Sequence, residues 1–293
     1  MIDIIGKKWF YFLISGLIII PGLISLLLFG LRPSIDFTGG TLLELNINES
    51  NTASGAAKIK VTSDEIKKTG REQKLDLASI QNSGNNTFFL RLKPIDQGQN
   101  KKLQESLSKK FGQVKELRFE TVGPTIGKEL TQKAFLAIIA ASLMIILYIA
   151  YSFRMVPKPY SSFKFGVCAV AALLHDVLVL IGIFSIFGHF FKVEIDSLFV
   201  TALLTVIGFS VHDTIVVFDR IRENLKRMPN KSFAEVTNES IIQTLGRSLS
   251  TSLTVVFTLS SLFLFGGETI KWFVVALLIG IISGTYSSIF NAA

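Results

Sequence analysis

Six apolar segments constrain the fold of this chain more than any other feature. A helix needs about 20 predominantly apolar residues to span the hydrocarbon core of a bilayer. Segments close to or above that length lie at residues 9–31, 133–153, 164–187, 197–218, 248–266 and 271–290. Only 18% of the 293 residues are charged, whereas about 25% is usual in soluble domains. The sequence therefore predicts an α-helical membrane protein with six transmembrane helices.

The interval between the first and second apolar segments is polar and long enough to form a domain. Residues 32–133 contain 17 of the 30 lysines and arginines, and about a hundred residues suffice for a small independent core. Strand and helix patterns follow one another there in the order β-α-β-β-α-β, which is that of a ferredoxin-like unit. We therefore predict an α+β ferredoxin-like domain at 32–132, between helix 1 with its N-terminal tail (1–31) and helices 2–6 (133–293).

Several local patterns carry that prediction. The segment TLLELNI alternates between apolar and polar residues like a strand, and Thr62 followed by Glu65 resembles a capping box that opens a helix. Two strand-like segments, LASIQ and TFFLRL, flank the turn-rich NSGNN and predict a hairpin. The segment QNKKLQESLSKKF has helical spacing and is followed by Gly112, which is typical of a helix end. The segment VKELRFETV predicts the last strand of the β-α-β-β-α-β order.

The distribution of basic residues predicts the orientation in the membrane. Cationic residues gather on the cytoplasmic side of membrane segments. They precede the first helix and occupy the loops predicted at 154–163 and 219–247, whereas the short loops on the other side contain one lysine each. This predicts cytoplasmic termini and an exported domain. The same clusters account for the net charge of +8, and since no basic stripe is interleaved with aromatic residues, nucleic-acid binding is disfavoured.

Two aspartates within the apolar segments, Asp176 and Asp213, identify the candidate functional site. An ionised side chain at bilayer depth costs about 2.5–3.5 kcal/mol, so such a residue is a functional-site hypothesis by default. Arg247, at the start of the fifth segment, is the best candidate partner. A carboxyl group away from water can hold a proton at neutral pH and release it when a guanidinium approaches.

We therefore predict that Asp213 is a proton carrier. The alternative is a permanent structural ion pair between Asp213 and Arg247, although such buried pairs are weak evidence for stability. For Asp176 the sequence leaves two roles open, a second member of the proton path or a hydrogen-bonding residue that locks helices together.

Hydroxyl side chains on the fifth segment share one face with the arginine. At about 100° per residue they fall within an arc of about 80°. The set consists of Arg247, Thr251, Thr254, Thr258 and Ser261. Such a stripe is typical of close helix packing in membranes, but it also fits a hydrated proton or ion track, and both interpretations remain open.

Histidines directly precede both aspartates, which raises the question of a metal site. Histidine and carboxylate ligands bind zinc. Adjacent residues on a helix, however, point about 100° apart, so His175–Asp176 and His212–Asp213 cannot easily chelate one ion. We expect no metal and no cofactor, and we interpret His212 as a further proton-coupling residue.

Three motifs resemble the SecD/SecF family of bacterial protein-export membrane proteins. They are IDFTGG after the first segment, LLHDVLV in the third, and GFSVHDTIVVFDRIREN at the end of the fourth. The resemblance implies the fold of the resistance–nodulation–division superfamily and a multi-pass protein of the bacterial cytoplasmic (inner) membrane. It also implies a SecD-like partner subunit, association with the SecYEG translocon, and use of the proton-motive force to promote movement of unfolded secreted polypeptides.

The resemblance also carries site residues and one departure. It implies functional roles for Asp213 and Arg247, and it matches Asp176 to the histidine–aspartate pair of the third segment. Many relatives have asparagine where this chain has His212, and of the two only histidine titrates near neutral pH. A different pH profile, or a histidine that stays neutral, would follow.

Other functions remain open on the sequence alone. One is half of a resistance–nodulation–division exporter of small molecules or lipids, which would need a large apolar cavity in an exported domain that is here short, polar and lysine-rich. Another is an enzyme, an intramembrane aspartyl protease, which would have a glycine two residues before a catalytic aspartate, where this chain has Val211 and Leu174. A passive scaffold is the third. We expect a transport subunit rather than an enzyme.

Overall fold

The computed structural model describes residues 3–49, 61–82, 86–152 and 162–293. The elements in chain order are α1 (Lys8–Phe29), α2 (Ile35–Thr38), β1 (Gly40–Glu49), α3 (Ser63–Glu72), β2 (Leu77–Asn82), β3 (Thr87–Leu92), α4 (Gln97–Phe111), β4 (Gly112–Val122), α5 (Pro124–Ser152), α6 (Ser162–Phe190), α7 (Ser197–Arg227), α8 (Phe233–Phe265) and α9 (Lys271–Phe290). Within the described ranges, α1 and α5–α9 are long and apolar enough to cross a membrane. This confirms the predicted six-helix membrane protein.

The chain divides into two compact units. One unit comprises Met1–Arg32 together with Ala134–Ala293, and the other comprises Pro33–Lys133. The first contains the apolar helices, and the second contains the sheet.

The second unit is built on a four-stranded antiparallel sheet with the strand order β2-β3-β1-β4. The inward side chains of the central strand β1, Leu43, Leu45 and Ile47, are fully buried. Leu103 and Leu107 of α4 join them in one hydrophobic cluster. This strand order and the helices α3 and α4 give the predicted ferredoxin-like domain.

The helices of this domain begin and end where the sequence indicates. Thr62 and Glu65 form the capping box before α3, in which each side chain accepts a hydrogen bond from the backbone N–H of the other. The helix α4 ends before Gly112, whose φ of 102° lies in the region that favours glycine. The centre of the predicted hairpin turn, residues 83–85, lies outside the described residues.

The IDFTGG segment packs against the start of α5 within the second unit. Gly39 has a φ of 72°, and a Cβ atom built there would lie 2.9 Å from the Cα of Pro124. A Cβ atom on Gly127 would lie 2.9 Å from the backbone nitrogen of Gly39. Glycine is therefore required on both sides of this contact, because a side chain on either residue would push the two backbones apart.

Two helices extend beyond the predicted spans. The region predicted as a loop at 219–247 is mostly helical, since α7 continues to Arg227 and α8 begins at Phe233. Ion pairs along α7, such as Arg220–Glu223, and a capping box at Ser232 support these charged turns. A search for apolar segments does not detect such helices. Most of the predicted loop at 154–163 lies outside the described residues.

In the first unit, α9 packs against α6, α7 and α8, while α1 packs mainly against α6. The α1–α6 crossing is close because two glycines face each other. A Cβ atom on Gly22 would lie 2.9 Å from the Cα of Gly182, and the reciprocal distance is 2.8 Å. Beside this contact the hydroxyls of Ser25 and Ser185 lie 2.9 Å apart. The two helices therefore form one closely packed pair, as is usual where small residues meet in membranes.

We expect Gly22→Leu to destabilise the first unit because its side chain has no space against α6. Overpacking of this kind costs about 1–3 kcal/mol, so the thermal unfolding temperature of the detergent-solubilised protein should fall. Gly16→Leu is the matched control, since a Cβ atom there meets only Ile20 of the same helix, at 3.8 Å. Equal unfolding temperatures for the two variants would contradict the close crossing.

Candidate functional site

Asp213 lies in the middle of α7, on the side that packs against α8 and α9, and it is only 2% exposed. The hydroxyl of Ser252 on α8 donates to its Oδ2 at a distance of 3.4 Å. The same hydroxyl lies 2.6 Å from that of Thr285 on α9. This carboxyl group is therefore removed from water, and the hydrogen bond that Ser252 donates to it is long.

The inward face of α8 carries a second hydroxyl beside this site. Ser248 lies one helical turn before Ser252 and is equally buried. Within the part of the chain that the structure describes, its Oγ has no hydrogen-bond partner. Buried hydroxyls are normally partnered, so the polar contacts of the inward face of α8 are incomplete at Ser248.

The predicted ion pair is not formed in this structure. Arg247 is exposed on α8, and in the described ranges no carboxylate lies within 4.0 Å of its guanidinium. The neighbouring His212 is exposed as well, on the outer side of α7. The structure thus places Asp213 inside the helix bundle and the predicted proton-coupling residues Arg247 and His212 at the surface. Their coupling roles stay predictions.

The predicted hydroxyl stripe also faces outward. Thr251, Thr254, Thr258 and Ser261 are all exposed in the chain by itself. The three threonine hydroxyls donate to backbone carbonyls one turn earlier on α8, which lowers the energetic cost of leaving them at bilayer depth. The stripe does not contact Asp213. Ser252 on the opposite face of the helix does so instead.

Asp176 on α6 has very different surroundings from Asp213. It is 1% exposed, and three serine hydroxyls donate to its carboxylate. Ser283 of α9 reaches Oδ1 at 2.8 Å, while Ser287 of α9 and Ser210 of α7 reach Oδ2 at 2.7 and 2.5 Å. The Nδ1 atom of His175 lies 2.9 Å from Oδ1. Both oxygens of this carboxylate therefore have two polar neighbours each.

The contact between His175 and Asp176 differs from the sequence expectation that adjacent side chains diverge. The imidazole turns back along the helix, with one nitrogen on the aspartate and the other 3.0 Å from the hydroxyl of Ser15 on α1. Within the described ranges, no group of three or more histidine, cysteine, aspartate or glutamate side chains is arranged to bind a metal.

The sequence did not identify the donors around the two aspartates. Ser210, Ser283 and Ser287 come from helices far apart in the chain. In the last apolar segment, Ser283 and Ser287 lie beside Gly280 and Gly284, and small residues at this spacing are typical of close packing. Ser252 could have been found, because it repeats at helical spacing after Ser248 on the face opposite the threonine stripe. What the spacing does not give is which of the two faces points inward.

Comparisons with known proteins agree with the geometry. The model of the protein export membrane protein SecD/SecF C-terminal region matches residues 102–293, and that of the SecD/SecF GG motif matches residues 24–48. Protein translocase subunit SecF of Thermobaculum terrenum is 50% identical over 100% of this chain and 92% of its own length. The corresponding subunit of Anaerolinea thermophila is 45% identical with the same coverage.

Longer proteins are similar to this chain over part of their length. SecDF of Bacillus subtilis is 34% identical over 99% of this chain, which covers 37% of SecDF. The crystal structure of SecDF, a translocon-associated membrane protein from Thermus thermophilus, superposes with a TM-score of 0.81 at 31% identity. It matches 99% of this chain, and the chain again spans 37% of the longer protein.

Cysteine labelling tests which face of α8 points inward. We expect Thr254→Cys to react with a maleimide about tenfold or more faster than Ser252→Cys, since thiol reactivity follows exposure and Ser252 is only 5% exposed. Both variants need a Cys168→Ser background, because the native cysteine is exposed. Equal rates on the purified, folded protein would show that the orientation of α8 is different.

Proposed function

Because the chain belongs to the SecD/SecF family and is an auxiliary transport subunit of the Sec translocase, we propose that it couples the proton-motive force to protein export. In this proposal a proton binds to and leaves Asp213, and the change of charge alters how α7, α8 and α9 meet. The resulting movement, shared with a SecD-like partner, promotes passage of unfolded secreted polypeptides through the SecYEG translocon.

The observation that carries the proposal is the incomplete polar environment of a buried carboxyl group. The hydrogen bond from Ser252 to Asp213 is long, the other neighbouring hydroxyl belongs to Thr285, and no cation of the described residues lies within ion-pair distance. An ionised group in that position is costly, so the arrangement fits a protonated carboxyl. Loss of the proton would require a cation to approach, and that requirement links the charge to a change of structure.

Arg247 is the cation that can meet this requirement. It lies on α8 directly before the buried Ser248, about 100° away around the helix axis, so a rotation of α8 by roughly that angle would turn it from the surface toward Asp213. We therefore propose two states, one with a protonated Asp213 facing Ser252 and one with an ionised Asp213 facing Arg247. Such a switch needs a different stability of the two states, which the proton supplies.

The available energy suits a bias between two states. One elementary charge that crosses 100 mV is worth about 2.3 kcal/mol, which corresponds to a population ratio of roughly 50. A single proton therefore shifts the equilibrium of two helix arrangements effectively, but it performs little mechanical work. Export of a whole polypeptide would need repeated cycles.

A SecD-like partner is supported by the outward polar faces. The stripe on α8 and the neighbouring face of α7, with Thr201, Thr205 and His212, are exposed in this chain. Polar surface at bilayer depth is normally covered by protein. The two similar SecDF proteins contain a further part beyond the length of this chain. We propose that a SecD-like subunit covers this surface and completes the environment of Arg247.

The proposed orientation follows the basic residues. The end of α7 carries arginines and lysines that are partly paired with glutamates, and this end would face the cytoplasm. Both chain termini would then be cytoplasmic, and the unit Pro33–Lys133 would be exported across the bacterial inner membrane. In that position it could contact polypeptides that emerge on the outer side.

The geometry gives less support to the alternatives. A protease of the aspartyl type needs two carboxyl groups that share a proton or a water, whereas the side-chain partners of Asp176 are Ser210, Ser283, Ser287 and His175 rather than Asp213. For a small-molecule exporter, the sheet domain would need an apolar cavity, and its apolar side chains are instead packed into one core.

We expect Asp213→Asn to remove the dependence of export on the proton-motive force. Asparagine fills the same space but cannot exchange a proton, so translocation of a secreted precursor into vesicles should lose its stimulation by the proton gradient, by about tenfold or more. The ATP-driven stage and assembly with the partner should be unchanged. Asp219→Asn, on the exposed part of the same helix, is the matched control. Full stimulation in Asp213→Asn would refute the proposal.

Arg247 gives a second test of the same mechanism. We expect Arg247→Gln to abolish the stimulation, because the ionised carboxylate then has no cation, while Arg247→Lys should retain part of it. Arg222→Gln, whose arginine pairs with Asp219 at the surface, should behave like the parent protein. If Arg247→Gln exports normally in the vesicle assay, the two-state switch is wrong even where Asp213 is essential.

A further inference from the structure

The carboxylate of Asp176 lies at the junction of four helices. Its own helix is α6, its hydroxyl donors belong to α7 and α9, and His175 carries the contact on to Ser15 of α1. With the residue only 1% exposed, the contacts with the three serines are made away from water. The strongest packing in this unit joins α7 to α9 and α1 to α6, so the carboxylate connects two helix pairs.

The donors around Asp176 match the ionised form of the side chain. A carboxylate has about four acceptor positions on its two oxygens. Ser210 and Ser287 occupy Oδ2, while Ser283 and His175 occupy Oδ1. Hydrogen bonds to an ionised acceptor are stronger than those between neutral groups. Among the described residues that contact it, His175 is the one with a titratable side chain.

The histidine extends this set of contacts to α1 and to the end of α9. When Nδ1–H of His175 donates to the aspartate, its Nε2 accepts from the hydroxyl of Ser15, 3.0 Å away. The side-chain amide of Asn291 donates to the same hydroxyl at 2.7 Å. Nearby, the hydroxyl of Tyr286 donates to the backbone carbonyl of Tyr11 at 2.7 Å. The aspartate is therefore linked to α1 through His175 and Ser15.

The serines that donate hydrogen bonds to Asp176 lie close to the Asp213 site. Ser210 lies one helical turn before Asp213 on α7, and Thr285 lies between Ser283 and Ser287 on α9. A cross-contact joins the two helices beside them, since the hydroxyl of Ser288 lies 2.8 Å from that of Thr214. A shift of α7 or α9 at Asp213 would therefore move the donors of Asp176.

We propose that Asp176 is a positioning residue that passes a change at Asp213 from the α7–α9 pair to the α1–α6 pair. This inference rests on the proposed function and adds a division of roles, in which Asp213 exchanges the proton and Asp176 remains a fixed anion. The close Gly22–Gly182 crossing makes α1 follow α6. Since α1 leads directly into residue 33, it is one of the two covalent connections to the sheet domain, the other being α5.

Spin labels at two places test this transmission. One label is attached at Leu17→Cys on α1, which is 71% exposed, and the other at Leu253→Cys on α8, which is 47% exposed. Each is made in a Cys168→Ser background, and the full chain is reconstituted with its SecD-like partner in vesicles. The spectra are compared at a pH of about 8 and of about 5.5, the interval in which a coupling group has to titrate.

We expect both labels to respond to pH in the parent protein and neither to respond in Asp213→Asn. In Asp176→Asn the α8 label should still respond, while the response of the α1 label should fall by about fivefold or more. A merely structural role would lower the unfolding temperature and leave the α1 response in place. If Asp176→Asn does not fold, Ser283→Ala combined with Ser287→Ala removes two of the four neighbours and should give the same separation.

The outcomes distinguish the two proposals. If neither label responds in the parent protein, the proposed proton coupling fails and the inference fails with it. An undiminished α1 response in the folded Asp176 variant, or in the double serine variant, overturns the inference alone. Loss of the α8 response in Asp176→Asn would place Asp176 within the proton site itself and would also overturn it.

Discussion

Hydrogen bonding between helices is the constraint on which the rest of the membrane unit depends, because hydrocarbon offers no partner to a polar group. The interface of α7 and α9 satisfies it with small residues. A Cβ atom on Gly284 would lie 3.0 Å from the Cβ of Ser210, so the helices approach closely enough for serines of both to reach Asp176. Close packing and polar contacts are therefore one feature here. The glycines allow the approach, and the carboxylate fixes which helices meet.

The two buried aspartates differ in how completely that constraint is met. Asp176 has four polar neighbours within 2.9 Å, whereas the hydroxyl of Ser252 reaches Asp213 only at 3.4 Å and is itself 2.6 Å from that of Thr285. A fully satisfied network makes a structure rigid, and a partly satisfied one leaves an alternative arrangement within reach. Under the proposed function, Asp176 keeps the helices in place and Asp213 changes its charge.

The sequence predicted the elements well and the site only in part. Segment length and hydropathy are enough for six spans, and local signals such as Thr62 with Glu65 were confirmed in the sheet domain. For the charged turns of α7 and α8 the hydropathy pattern predicts a loop, because hydropathy describes contact with lipid rather than helicity. The sequence identifies both aspartates, because an ionised side chain in an apolar segment has a high energetic cost. It does not identify their donors, because Ser210 and Ser287 meet Asp176 only through the packing of three helices.

The outward direction of the α8 stripe changes the meaning of that pattern. Hydroxyls that bond to their own helix, as Thr251 and Thr258 do, tolerate a lipid-facing position, so they do not by themselves require a path for ions. Arg247 is different, because a guanidinium cannot lose its charge and is costly at bilayer depth. Under the proposed function, a partner subunit covers this arginine in one state, and the arginine turns toward Asp213 in the other. A SecD-like partner and a rotation of α8 are then two parts of one proposal, since the cover that shields the arginine in one state has to release it in the other.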